Sequence, residues 1–155
     1  MENTIGFGNS GLGNQALNLN TTGSGNTAVG LSAGKNNTTG SFNTFIGNVA
    51  GCSNTTNDGN VYVGRGAAKL NDGSSNTIVG TDAACLSTGM ICSVALGMNA
   101  MCNNTGSHSV ALGTAALRGS TSGTASTGGF NVAVGYNSQV KNTTGCQNVA
   151  VGSKT

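Results

Sequence analysis

One pattern occurs nine times in this chain and restricts its fold more than any other feature. Asn or Ser is followed by a short, mostly apolar or Thr run and then, four residues on, by Gly. The starts are Asn9, Asn26, Asn43, Asn60, Asn76, Ser93, Ser109, Asn131 and Asn148, spaced 17, 17, 17, 16, 17, 16, 22 and 17 residues apart. The glycines are Gly13, Gly30, Gly47, Gly64, Gly80, Gly97, Gly113, Gly135 and Gly152. A small residue comes seven positions after each of the first eight starts, from Ala16 and Ala33 to Ala116 and Ser138. Between copies the chain reads Asn-Thr-Thr-Gly, as at 20–23, 37–40 and 142–145, or a variant of it. Such residues bond their own backbone and favour turns.

A period of 16–17 is too short for paired-helix repeats or for the common leucine-rich and ankyrin units. It suits one coil of an all-β parallel β-solenoid. Two short strands and their corners would close each coil, and coils would stack about 4.8 Å apart through parallel hydrogen bonds. About nine coils make a rod roughly 40 Å long. The repeated glycines are expected at corners where the backbone needs positive φ or lies too close to its neighbour for a Cβ. Asn side chains in a stack can bond the Asn above and below. The solenoid domain is placed at 9–155, with 1–8 as a lead-in cap, and the 22-residue spacing enlarges one corner at 119–130.

Composition sharpens this reading. Charged residues are 6% of the chain, and there are 27 Gly and no Pro, against roughly 25% charged residues in ordinary soluble domains. Solubility must come from Asn, Ser and Thr. Apolar residues still reach 36% and are placed regularly, which separates the chain from disordered low-complexity sequence. A formal charge of +2 offers no basic stripe, so nucleic acid is not an expected partner. Membrane insertion is not expected either, since no 18-residue apolar run is present. Met1-Glu-Asn-Thr-Ile has neither the basic nor the apolar region of a cleavable signal peptide.

Each first strand is apolar on both faces. Its second and fourth repeat positions, such as Thr27 with Val29, Val61 with Val63, Val94 with Leu96 and Val149 with Val151, share one face, which is expected to point inward. The third position points the other way and reads Ala28, Phe45, Tyr62, Ile78, Ala95, Ala111, Ala133 and Ala150. A strand apolar on both faces is covered on both, so this column is expected at an interface with another copy of the chain. The column Thr27, Thr44, Val61, Thr77, Val94, broken by valines and expected inward, speaks against an ice-binding Thr array.

The segments Asn26-Thr-Ala-Val-Gly30, Ser93-Val-Ala-Leu-Gly97, Ser109-Val-Ala-Leu-Gly113 and Asn148-Val-Ala-Val-Gly152 resemble the YadA-like head repeats of trimeric autotransporter adhesins. The longer unit 26–40, ending in Asn-Thr-Thr-Gly, is similar to repeats of phage and giant-virus fibre proteins. The resemblance covers 9–155. It implies a left-handed parallel β-roll, a homotrimer, and a role in host or surface attachment through a glycan or protein receptor, with an adjoining fibre or capsid protein as a further partner. The adhesin repeat is usually shorter, and the secretion signal, stalk and anchor of a complete adhesin are not seen here. The expected role is therefore a fibre or head element on a virion or appendage surface. The alternative is a head fragment of a bacterial trimeric autotransporter adhesin.

Chemistry-bearing residues are few. The slot nine positions after the start holds Lys35, Lys69 and Arg118, a candidate cationic column for anionic glycans or phosphates. The enlarged corner, with Thr121, Ser122 and Thr124, is the segment the solenoid does not need, and loops on rigid scaffolds commonly carry binding residues. The same slot holds Cys52, Cys85 and Cys102, while Cys92 and Cys146 lie between copies; no Cys-x-x-Cys occurs. Cys85 and Cys102 fall in neighbouring coils, but side chains stacked in register are expected to suit a disulfide poorly. Asn-x-Ser/Thr sequons at Asn20, Asn36, Asn37, Asn54, Asn103 and Asn142 mostly coincide with the turn motif. The lone His108 and the acids Glu2, Asp58, Asp72 and Asp82, at different repeat positions, build no catalytic constellation. Neither an enzyme activity nor a cofactor is expected.

Overall fold

The computed structural model describes residues 5–119 and 125–155. Nine three-residue strands follow one another: β1 (Ser10–Leu12), β2 (Thr27–Val29), β3 (Thr44–Ile46), β4 (Val61–Val63), β5 (Thr77–Val79), β6 (Val94–Leu96), β7 (Val110–Leu112), β8 (Val132–Val134) and β9 (Val149–Val151). Each pairs in parallel with the next, in chain order, as one sheet. Register follows the repeat: Thr27 faces Thr44, Ala28 faces Phe45, and Val29 faces Ile46. The 22-residue interval is absorbed without a slip, since Ala111 still pairs with Ala133. Every strand ends at its repeat glycine, whose φ lies between +122° and +138°. Of the lead-in, residues 1–4 lie outside the described residues, and Ile5 and Phe7 are exposed.

Among the described residues each coil has one strand, where two were expected. The opposite side is made of stacked turns in which alternate residues are left-handed, as in Gln15 (φ 59°) and Leu17 (φ 49°), or Asn99 (φ 57°) and Met101 (φ 53°). Alternation of this kind destroys the pleat a strand requires. Coil-to-coil bonding continues regardless: Leu17 N donates to Ala33 O at 3.1 Å, and Ala68 N to Ala83 O at 2.8 Å.

The column expected at a subunit interface lies inside the coil. Ala28, Phe45, Tyr62, Ile78, Ala95, Ala111 and Ala133 are fully buried within the single chain, and Ala150, in the last coil, is half-buried. The physical reason is a match of sizes across the coil. Six positions after each of these residues comes the left-handed turn residue that faces it, and the two are reciprocal in volume: Gly11 with Leu17, Phe45 with Gly51, Tyr62 with Ala68, Ile78 with Ala84, Ala95 with Met101, Ala111 with Leu117. Each interior holds about one large side chain. Ala28 and Gly34 are both small, and the gap is taken up from the adjacent coils: a Cβ on Gly34 would meet both the Phe45 ring and Leu17. The Phe45 and Tyr62 rings meet between coils with centroids 5.6 Å apart and planes tilted by 36°.

The second and fourth positions of each strand point outward, the reverse of the expectation. The column Thr27, Thr44, Val61, Thr77, Val94 is therefore on the surface, still broken by its valines.

Two side-chain ladders run up the corners. Asn26 N donates to Asn9 Oδ1, Asn43 N to Asn26 Oδ1, and Asn60 N to Asn43 Oδ1, each at 2.9 Å. The amide groups reach across the corner, as from Asn26 Nδ2 to Gly40 O at 2.8 Å. Ser93 and Ser109 continue this ladder through their hydroxyls. In the second ladder Asn37 Nδ2 donates to Asn20 Oδ1 and Asn54 Nδ2 to Asn37 Oδ1. Asn20, Asn37 and Asn54 are fully buried, so these three sequons are interior structural residues and closed to glycosylation in the folded coil.

Tyr62 carries the one aromatic hydroxyl in this interior, and it accepts from Asn71 Nδ2 at 2.8 Å. Burial pushes its pKa up to about 12, against the opposing effect of the Asn71 and Asn76 amides. The unfolded chain ionises this group near the ordinary value of about 10. Tyr62 therefore stabilises the fold fully below pH 10, and that stability is lost as pH rises toward 12, at about 1.4 kcal/mol per unit. Urea unfolding at pH 9 and pH 11 should show the parent losing about 1.4 kcal/mol more than Tyr62→Phe over this interval. Equal losses would refute the assignment.

Candidate functional site

The outward sheet face carries the same chemistry in every coil. Its fourth-position column reads Leu12, Val29, Ile46, Val63, Val79, Leu96, Leu112, Val134 and Val151, aliphatic in all nine coils. The second-position column, Ser10, Thr27, Thr44, Val61, Thr77, Val94, Val110, Val132 and Val149, is β-branched after its first member. Neither column contains an ionisable group. Even mid-rod, Val29, Ile46 and Leu96 keep 36%, 39% and 40% of their surface exposed. Nine strands at ladder spacing make this face roughly 38 Å long. Just past the corner glycines, exposed Leu31, Met98 and Tyr136 widen it. Charge on that margin consists of the Arg65–Asp82 ion pair, 2.5 Å between coils and self-neutralising, and of exposed Lys154 in the last coil.

The expected cationic column is sparse. Lys35 and Lys69 are two coils apart, and Lys69 and Arg118 three, which is roughly 10 and 14 Å at ladder spacing. One small anion cannot bridge them. The structure instead gathers Arg118 with Lys141 and Lys154 around a recess of about 520 Å³ near the C-terminal end, with Asn137, Val140 and Thr155. The Arg118 Nε is buried there without a partner in the chain. Lys141 and Lys154 were not legible as members, because they occupy different repeat positions from Arg118 and from each other. Thr121, Ser122 and Thr124 of the enlarged corner lie outside the described residues.

A third surface joins His108, which has no catalytic partner in the sequence, to Phe130, the last residue of the enlarged corner. His108 and Phe130 stack face to face, with centroids 4.8 Å apart and planes 5° from parallel. They line a shallow groove of about 550 Å³ with Thr105, Ser107, Thr127, Thr144 and Gln147. Both rings are exposed and held at φ near +58°, at a corner position where other coils have Gly8, Gly25 and Gly59. A bulky residue there is strained. Phe130 ends the enlarged corner, so the segment expected to carry attachment contributes one wall. The signal was faint, because the two rings are separated by the irregular 22-residue interval.

The three acids among the described residues each have a structural partner. Asp58 Oδ1 accepts from Ser41 N at 2.6 Å, Asp72 Oδ1 from Gly89 N at 2.9 Å, and Asp82 pairs with Arg65. No group of three His, Cys, Asp or Glu residues is assembled among the described residues. Comparison with family models, curated proteins and solved structures finds no match to this chain.

Proposed function

We propose that this chain is a non-catalytic structural rod that associates with copies of itself along its aliphatic sheet face and serves as a fibre or head element in surface attachment. The observation that carries the reading is the charge-free row of Val, Ile and Leu on the outside of every coil. A strand apolar on both faces is covered on both; with Ala28, Phe45, Tyr62 and Ile78 buried inside the coil, the face left to be covered is the opposite column of Val29, Ile46, Val63 and Val79. An aliphatic stripe of this length is larger than single scattered apolar residues. A second copy is the occupant that fits it best, because only a surface with the same axial repeat of about 4.8 Å can seat side chain between side chains along the whole rod.

The resemblance to trimeric head repeats makes a left-handed homotrimer the association to test first, on a virion or appendage surface. Three copies would present the His108–Phe130 groove and the cationic recess three times each, which raises avidity for a repetitive host surface. Native mass spectrometry on the unmodified chain should give a trimer at micromolar concentration. The double variant Ile46→Asp/Leu96→Asp places unpaired charges in the face. It should remain folded by circular dichroism, since both positions are outward, yet weaken association by at least about 100-fold. A folded monomer for the unmodified chain, or an unchanged mass for the double variant, would remove the face from consideration.

A further inference from the structure

The Cys85 and Cys102 sulfurs lie 2.9 Å apart in neighbouring coils. The stacking expected to keep two such side chains apart instead brings the thiols into contact. Ladder spacing of about 4.8 Å also falls inside the Cα separation that disulfides span. The pair is selective. Cys52 shares the column but is separated by the coil of Lys69, whose carbonyl its sulfur touches at 3.5 Å. Cys92 and Cys146 are exposed and sit in other columns. Cys85 is half-buried and Cys102 nearly closed off, so the pair is open to a small reagent at one side and sheltered at the other.

We propose that Cys85 and Cys102 are a redox-active dithiol that closes into an inter-coil disulfide on meeting a low-molecular-weight disulfide. One Cys thiolate attacks the reagent RS–SR; that S–S bond breaks, RS⁻ leaves, and a mixed disulfide forms on the protein. The second Cys gives its proton to solvent and attacks the protein sulfur of the mixed disulfide, displacing the other RS⁻. Two thiols are oxidised by two electrons, the reagent is reduced to two RSH, and the two protons released end on those thiols. Thiolate formation is favoured at one member: the hydrogen bond from Cys85 lowers the Cys102 thiol below its ordinary range, assisted by Arg118 in the next coil, while the same bond holds the proton on Cys85. Contact between the sulfurs makes the second step intramolecular and fast relative to capture of another reagent molecule.

The consequence is a covalent staple between the coils of β5 and β6, outside the aliphatic face and so compatible with the association proposed above. Closing a 17-residue loop should raise the thermal midpoint by about 5–10 °C. The test is to incubate the folded, full chain with glutathione disulfide, quench with acid, and map the peptides by mass spectrometry. A Cys85–Cys102 cross-linked peptide, two hydrogens lighter than the reduced pair, should be the dominant product within the sheltered column. Its formation should persist in Cys52→Ser/Cys92→Ser/Cys146→Ser. In Cys85→Ser, Cys102 should accumulate as the glutathione adduct, because nothing resolves it. Separate glutathione adducts on both cysteines of the parent, or no reaction at either while Cys92 and Cys146 are modified, would overturn the proposal.

Discussion

Replacing Gly64 by Val should destabilise the rod by about 3–6 kcal/mol, the sum of backbone strain and overpacking. Gly64 has φ +134°, a conformation open to glycine and closed to β-branched residues. A Cβ built there meets the carbonyl of Gly80 in the next coil, 2.5 Å from its oxygen and 2.7 Å from its carbon. Both atoms are backbone in a stacked ladder, so no side-chain rotation relieves the clash, and the coils on either side must part. Gly89→Ala separates strain from collision: Gly89 also has positive φ, at +64°, but a Cβ there meets nothing within 4 Å. That variant should lose only about 1–2 kcal/mol. Chemical denaturation of both variants checks the difference, and similar losses would show that coil spacing near Gly64 is not set by its missing Cβ.

An exchange of sizes within the third coil should produce the strongest coupling in the molecule. Phe45→Ala empties a fully buried site and should cost about 3–5 kcal/mol. Gly51→Leu alone should be at least as damaging, since a Cβ at Gly51 already collides with both the Phe45 and Tyr62 rings. Combining them recreates the Ala-and-Leu arrangement that the coil of Ala111 and Leu117 already uses. The backbone permits it, because Gly51 at φ +56° matches Leu117 at +50° and Leu17 at +49°. The double variant should therefore recover part of the loss, the contact with the Tyr62 ring remaining, with an interaction energy of about 2 kcal/mol in a double-mutant cycle. Additive losses would mean that the two columns do not share one interior volume.

Repetition made the coil legible in the sequence. Glycine every 16 or 17 residues with one interval of 22, Asn or Ser at each start, and Asn-Thr-Thr-Gly or a variant between copies are local chemistry, and nine copies in one register leave a parallel stack as the arrangement that bonds each coil to the next alike. Cys85 and Cys102 were likewise placeable in adjacent coils by counting, though not in contact.

Which face of the strand is inside was decided by the tertiary structure. A period-2 pattern separates two faces without saying which is which, and here both are apolar, so Tyr62 and Val63 were equally good core candidates. The decision rests on the bend at each glycine and on the volume the left-handed turn leaves across the coil, where Phe45 needs Gly51 and Ala111 needs Leu117. The candidate interaction face follows from that decision: Val29, Ile46 and Leu96, on the face that the sequence pattern points inward, are the exposed row. The turn side itself escaped a reading by propensity, because left-handed Leu17, Met101 and Leu117 are tolerated only where ladder bonds and a filled interior outweigh about 1–2 kcal/mol of strain at each. His108 and Phe130 met for a similar reason: the stack keeps its register across the enlarged corner, and register is a property of the closed rod.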